Sequence, residues 1–133
     1  PCRLGTGTLK PIATRGGKPT MTLQTLDQLN KQREELPGVM EEVMQLFITD
    51  APRQMRQIEE AYAASDPDAL RQTAHYLRSG ALALRLEWIA EQAHRLEFLS
   101  VNEFGTESNN RLVSMLRIEV NAVVVALLEA LNG

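Results

Sequence analysis

The residues best suited to chemistry are one histidine and the two arginines that flank it. Arg71 precedes His75 by four positions and Arg78 follows it by three, and on a helix these spacings make the side chains surface neighbours. A neutral imidazole nitrogen is a nucleophile near neutral pH. A guanidinium beside it can stabilise the negative charge that a phosphoryl group brings. The spacing therefore suits phosphoryl chemistry on His75, which depends mainly on positioning and charge neutralisation.

The periodicity of the same segment indicates which way this histidine faces. Successive helical residues are about 100° apart, and five apolar residues then fall within about 40° of one line. These are Leu70, Ala74, Leu77, Ala81 and Leu84. His75 lies roughly 140° from the centre of that stripe, so we expect it to face solvent. This geometry alone fits an ordinary solvated histidine as well as an active one.

The second histidine and the tryptophan suggest less. His94 lies about 140° from the apolar face of the next predicted helix, and we interpret it as an exposed histidine rather than a second phosphorylation site. Two histidines without a carboxylate cluster make a weak case for a metal, so no metal site is predicted. Trp88 lies off the same apolar face and is assigned to core packing.

The elements that must carry these residues are all helical. Leu and Ala dominate the apolar residues, both favour helix, and no strand-like alternation appears. We predict a short first helix that ends before Pro37, then helices over about residues 39–64, 67–84, 87–101 and 107–131. Four substantial helices with short connections predict an all-α fold: an up-down four-helix bundle with a short additional N-terminal helix.

Two helices carry local signals of their own. Pro52 lies inside the second helix and should kink or split it. Ser65 or Asp66 can cap the third helix, because Pro67 suits a first helical position. The apolar positions of the second helix are Val39, Val43, Leu46, Phe47, Met55, Ile58 and Tyr62.

Charge and composition exclude several classes of function. Residues 1–20 hold four basic residues and no acid, whereas the whole chain has a net charge of −3. We expect residues 1–20 to be a flexible N-terminal tail, a linker or a cloning remnant, and residues 21–133 to form the bundle. An acidic bundle argues against nucleic-acid binding, and no apolar run approaches membrane-spanning length.

The single cysteine fits a reducing compartment, so we expect a cytoplasmic protein. A solvated acidic stretch is assigned to Glu34, Glu35, Glu41 and Glu42.

Three segments together resemble one known family. Residues 73–84, Thr-Ala-His-Tyr-Leu-Arg-Ser-Gly-Ala-Leu-Ala-Leu, resemble the signature Ala-His-x-Leu-Lys-Gly-Ser of histidine-containing phosphotransfer (Hpt) domains. Upstream, residues 47–52 resemble the family's Phe-x-x-Asp-x-Pro segment. Downstream, residues 95–97 match its Leu-Glu pair without a gap. The resemblance covers about residues 22–131.

The resemblance implies a function and a set of site residues. Hpt domains are helical bundles without kinase activity, and they relay phosphoryl groups between receiver aspartates of response regulators or hybrid histidine kinases. It implies that His75 is the phosphoacceptor, through Nε2. It implies that Arg78 replaces the usual lysine beside the phosphate, and that Glu97 orients the imidazole. The chain would then be a phosphoryl carrier with no cofactor of its own, and Mg²⁺ would come with the receiver.

The surface around the histidine should receive that partner. The residues expected to meet it are Arg71, Ser79, Gly80 and Leu82. The chain departs from the family pattern in two places, because Ser79 and Gly80 stand in reversed order and Arg85 replaces a glycine that commonly ends the helix. The alternative function is therefore a degenerate Hpt-like helical adaptor that binds a signalling partner without phosphoryl transfer.

Overall fold

The computed structural model describes the backbone of residues 23–132 and the side chains of residues 26–132. The expected tail, residues 1–20, lies outside the described residues, and so do positions 21, 22 and 133 of the expected bundle. Five helices follow one another: α1 (Leu23–Glu35), α2 (Val39–Ala63), α3 (Pro67–Ala83), α4 (Glu87–Glu97) and α5 (Glu107–Asn132). No strand occurs between residues 23 and 132, and no helix in that part of the chain is long and apolar enough to cross a membrane.

Helices α2 to α5 form a closed ring in which each packs against the next, and α5 returns to pack on α2. Helix α1 packs on α2. Its Arg33 also donates a hydrogen bond to the carbonyl of Ala130 near the end of α5, at 3.2 Å. The predicted all-α bundle with a short additional N-terminal helix is confirmed, and α3, which carries the histidine, lies between α2 and α4.

The core matches the prediction closely on α3 and only partly on α2. Every residue of the predicted α3 stripe is fully buried. On α2 the buried face is formed by Met40, Met44, Phe47, Ala51, Met55, Ile58 and Ala61. Val39 and Leu46, which were assigned to the apolar positions, are exposed. The assignment favoured the more apolar side chain at each turn, whereas methionines and alanines fill the face that meets the other helices.

Two predicted features of the helices need correction. Of the predicted kink or split at Pro52, the split is wrong, because helix α2 continues through this residue. The packed helix tolerates the loss of one backbone hydrogen bond there. Helix α4 ends at Glu97, four residues earlier than predicted. The reason is a second start signal, since the backbone N–H of Ser100 donates to the Glu103 carboxylate at 2.8 Å and begins a separate 3-10 turn.

One residue of the acidic stretch has a structural role. The Glu41 carboxylate accepts a hydrogen bond from Arg33 Nε at 2.8 Å and another from the backbone N–H of Gly38 at 2.9 Å. The first bond joins α1 to α2, and the second satisfies a donor at the start of α2. The bond from Arg33, followed by the backbone bonds, holds the pKa of Glu41 below its ordinary value. Interpreting Glu41 as merely solvated was therefore wrong.

Candidate functional site

The site lies where the middle of α3 faces the end of α4. Helix α3 begins at a firm cap, because Asp66 accepts a hydrogen bond from the N–H of Ala69 at 3.2 Å and Pro67 occupies the first helical position. Its buried stripe fixes the rotation of the helix, and the opposite side carries His75. The His75 side chain is 54% exposed, in agreement with its predicted offset from the stripe.

Glu97 is the partner of this histidine. It is the last residue of α4, and its side chain is only 9% exposed. Its Oε1 lies 3.3 Å from Nδ1 of His75. When Nδ1 carries the proton and donates it to Oε1, Nε2 has a free lone pair on the exposed side of the ring. The arrangement thus favours the tautomer that makes Nε2 nucleophilic.

The two arginines beside His75 have different surroundings. Arg78 is half-buried, and its Nη1 lies 3.8 Å from Oε2 of Glu97, so its guanidinium faces the same carboxylate as the imidazole. Arg71 pairs instead with Asp68 at 3.3 Å, one turn back along α3. The structure therefore brings His75, Arg78 and Glu97 together, whereas Arg71 stands apart on the exposed surface.

The residues expected to meet a partner are not equally available. Ser79 is exposed, and its hydroxyl donates to the backbone carbonyl of His75 at 3.1 Å. Leu82 is also exposed. Gly80 is half-buried, and a Cβ built on it would lie 3.5 Å from the ring of Phe47 on α2. Gly80 thus lies against the neighbouring helix, while Ser79 and Leu82 present side chains to solvent.

His94 is a feature that sequence reasoning missed. It is exposed as expected, but its Nδ1 lies 3.7 Å from Oε2 of Glu97. The edge of its ring also contacts Phe98, with ring centroids 4.9 Å apart. The signal was the three-residue spacing between His94 and Glu97, which places two side chains on the same side of a helix. Trp88, assigned to core packing, is partly buried and packs against the core.

The carboxylate of Glu97 is the centre of the cluster. Its Oε2 is buried and has no hydrogen-bond partner, although Arg78 and His94 both have a nitrogen just beyond hydrogen-bonding distance. Leaving a buried oxygen unpaired costs free energy, so a small movement of either neighbour would be favourable. Among the described side chains, no group of three or more His, Cys, Asp or Glu residues could hold a metal ion.

The turn that places α4 against α3 depends on Arg85. This residue has a φ of 59°, in the left-handed region that normally favours glycine. The N–H of Leu86 donates to the carbonyl of Ala81 at 2.8 Å, and this bond closes the end of α3 as in a Schellman motif. Replacing the usual glycine by Arg85 therefore does not prevent the turn from forming, and Glu97 still reaches His75.

Comparisons with known proteins bear on the family and the fold. The family model of the Hpt domain matches residues 42–132, which is more than half of the chain. The crystal structure of histidine-containing phosphotransfer protein B from Pseudomonas aeruginosa superposes with a TM-score of 0.67 at 20% sequence identity. The match covers 84% of this chain and 94% of that one, and it shows the likeness of the folds. No curated protein matches the chain in sequence.

Proposed function

This chain belongs to the Hpt domain family, and we propose that it carries a phosphoryl group on His75 between receiver-domain aspartates in a two-component phosphorelay. The family gives the chain a histidine phosphotransfer role. The residues that perform it and the proteins that exchange the phosphoryl group with it are part of the proposal. The partners would be receiver domains of response regulators or hybrid histidine kinases.

One observation carries the proposal: an exposed imidazole has its Nδ1 beside a nearly buried carboxylate, 3.3 Å from Glu97 Oε1. This contact can fix the tautomer and the ring orientation together. Nε2 then has its lone pair on the solvent side, where another protein can reach it. A solvated histidine on a helix surface would have no need of such a partner from a different helix.

The reaction can be written with every bond accounted for. Nε2 of His75 attacks the phosphorus of the receiver's aspartyl phosphate, so a nitrogen–phosphorus bond forms. The bond between phosphorus and the aspartate oxygen breaks, and the electron pair leaves with the aspartate as a carboxylate. The proton on Nδ1 stays beside Glu97, whose negative charge balances the positive charge that develops on the ring. The return transfer to a second receiver reverses these steps.

Arg78 supplies the positive charge for the phosphoryl group. In the resting protein its Nη1 is 3.8 Å from Glu97 Oε2, so the guanidinium is not held by a short hydrogen bond. One turn along α3 from His75, it is close enough to turn toward the new phosphoryl oxygens. We assign the Mg²⁺ that neutralises the transferring group to the receiver.

The docking surface is assigned to the exposed side of α3. Ser79 is small and exposed beside His75, so a receiver could approach without a steric clash. Arg71, also exposed, could meet carboxylates around the receiver's active site, which speeds the encounter more than it tightens binding. Leu82 would add apolar contact with the receiver. Gly80, on which a Cβ would face Phe47 of α2, would let α2 and α3 pack closely beneath this surface.

Transfer from a labelled receiver tests the proposal. The protein is incubated with a receiver phosphorylated on its aspartate, and the acid-labile label is mapped after trypsin digestion. Cleavage after arginine separates residues 72–78, which contain His75, from residues 86–95, which contain His94. We expect the label on residues 72–78 and none on a His75→Gln variant. A wild-type protein that binds receivers but takes no label would instead be the degenerate adaptor.

A further inference from the structure

We propose that His94 is a positioning residue that holds the Glu97 carboxylate in place when Arg78 turns toward the phosphoryl group. The inference rests on the proposed function of His75, because Arg78 has a reason to move only if a phosphoryl group arrives there. His94 touches neither the phosphoryl group nor His75 in this scheme. It acts on the reaction through Glu97 alone.

The geometry around Oε2 of Glu97 supports this role. The oxygen is buried without a hydrogen-bond partner. Its two nearby nitrogens are Arg78 Nη1 at 3.8 Å and His94 Nδ1 at 3.7 Å. The two approach from different helices, since Arg78 belongs to α3 and His94 to α4. When Arg78 turns toward the phosphoryl group, His94 is therefore the one of these two neighbours that stays beside Glu97.

The position of Glu97 makes such a partner necessary. It is the last residue of α4, where the partial charge of the helix end is negative and does not favour a carboxylate. A buried carboxylate oxygen with no donor close by pays the full cost of desolvation. Without His94, the carboxylate would gain by rotating toward water. That rotation would withdraw Oε1 from Nδ1 of His75 and release the imidazole from its tautomer.

His94 also has an ordinary structural interpretation, and the test must distinguish it from the positioning role. A basic residue in the last turn of a helix stabilises it through the helix dipole, and Arg95 stands in the same turn. His94 also contacts the ring of Phe98. Neither effect would change the tautomer of His75, whereas loss of the donor beside Glu97 would change it.

Two substitutions at one position isolate the donor. His94→Phe keeps an aromatic ring beside Phe98 and removes the nitrogen. His94→Asn removes the ring and can place an amide N–H near the position of Nδ1. Arg95→Gln is the control, because it removes a positive charge from the same helix end, where Arg95 is exposed. Circular dichroism and thermal melting show whether all three proteins are folded.

The readouts are the tautomer of His75 and the kinetics of its phosphoryl group. The tautomer is measured by ¹⁵N NMR of the unphosphorylated protein at alkaline pH in an Arg78→Ala background, which takes Arg78 away from Glu97 as its turn toward a phosphoryl group would. In that background we expect the protein with His94 intact, His94→Asn and Arg95→Gln to keep the proton on Nδ1 of His75, and His94→Phe to shift it toward Nε2. The hydrogen bond that His94 would form to Glu97 once Arg78 has turned away corresponds to about a fivefold change. We therefore expect the transfer rate of His94→Phe to fall about fivefold, and Asn to restore most of it.

The outcomes are distinct. If His94→Phe matches Arg95→Gln in both readouts, His94 is an ordinary surface residue and the inference is wrong. If His94→Asn is as defective as His94→Phe, an N–H donor at this position does not restore the orientation of Glu97, and the inference is wrong again. If wild type accepts no phosphoryl group, the proposed function fails, while the tautomer measurement still decides whether His94 positions Glu97.

Discussion

Nδ1 of His75 lies 3.3 Å from Oε1 of Glu97, although 22 positions separate the two residues in the chain. The contact joins the middle of α3 to the last residue of α4, so it exists only when these helices are packed together. The orientation of the nucleophile is therefore a product of the bundle. Any change that moves α4 along α3 should therefore alter the orientation of the imidazole through this one carboxylate.

The first prediction concerns this carboxylate. Glu97→Ala should lower the rate of phosphoryl acceptance by about tenfold or more, because the loss of a charge-assisted hydrogen bond costs roughly 1.5–3 kcal/mol. Glu97→Gln should give a rate between those of Glu97→Ala and wild type, since an amide oxygen can still accept a hydrogen bond from Nδ1–H but carries no negative charge. Single-turnover transfer from a phosphorylated receiver measures both. Equal rates for Glu97→Ala and wild type would show that the 3.3 Å contact has no part in the reaction.

The second prediction separates charge from shape at Arg78. Arg78→Ala should slow transfer and shorten the lifetime of the phosphohistidine, whereas Arg78→Lys should largely preserve both. The reason is that one positive charge near the phosphate is sufficient, and the exchange of arginine for lysine matters most at bidentate sites. Transfer rates and the decay of labelled protein give the two quantities. A lysine variant as poor as the alanine variant would assign Arg78 a geometric role.

The architecture was predictable because the apolar pattern of α3 is unusually regular. One stripe of five apolar residues determined its rotation, and therefore the exposure of His75. The buried face of α2 was less predictable, since methionine and alanine are weaker signals than the exposed Val39 and Leu46. The end of α4 was misplaced because Ser100 and Glu103 form a capping pair that competes with helix continuation.

The site was predictable only in part, because a sequence does not show which side chains from two helices meet. The family resemblance suggested Glu97 as the partner of His75, and spacing suggested Arg78. The approach of His94 to the same carboxylate required the rotation of α4 and the depth of Glu97 to be known. Likewise, Arg71 looked equivalent to Arg78 by spacing, yet it pairs with Asp68.

The third prediction concerns the turn between α3 and α4. Arg85 has a φ of 59°, and a side chain in that region costs about 1–2 kcal/mol relative to a helical conformation. Arg85→Gly should therefore stabilise the protein by about 0.5–1 kcal/mol after the entropy of glycine is subtracted. Melting experiments should show an increase of about 2–4 °C. Arg85→Ala, which keeps the strained conformation, is the control and should show no such gain.

The fourth prediction follows from the lowered pKa of Glu41. A carboxyl whose pKa is lower in the folded than in the unfolded protein stabilises folding above its unfolded value, and this contribution is lost as the pH falls through the folded value. The bond from Arg33 is the main cause of the lowered pKa, so acid below the ordinary value of 4.5 should loosen α1 from α2.

The protection of the α1 amides against hydrogen exchange, relative to an unfolded chain at the same pH, measures this loosening. Glu41→Gln should make this protection nearly independent of acid in that range, because the group that titrates is gone. Glu42→Gln is the matched control, since Glu42 is an exposed neighbour on the same helix, and it should behave like wild type. If Glu41→Gln keeps the acid dependence of wild type, Glu41 is not the group whose protonation loosens α1 from α2.

The last prediction tests the docking surface by steric obstruction. Ser79 is exposed on α3 one turn beyond His75, and its hydroxyl donates to the carbonyl of His75. A tryptophan there should leave the bundle intact, because surface substitutions usually alter stability by no more than about 0.5 kcal/mol. It should nevertheless block transfer, since a receiver must bring its aspartyl phosphate to Nε2 across this surface.

The control is Ser114→Trp, an equally bulky change at an exposed position of α5, which lies across the ring of helices from α3. We expect full transfer by Ser114→Trp and almost none by Ser79→Trp, with both proteins folded by circular dichroism. Normal transfer by a folded Ser79→Trp protein would mean that receivers approach His75 from another side.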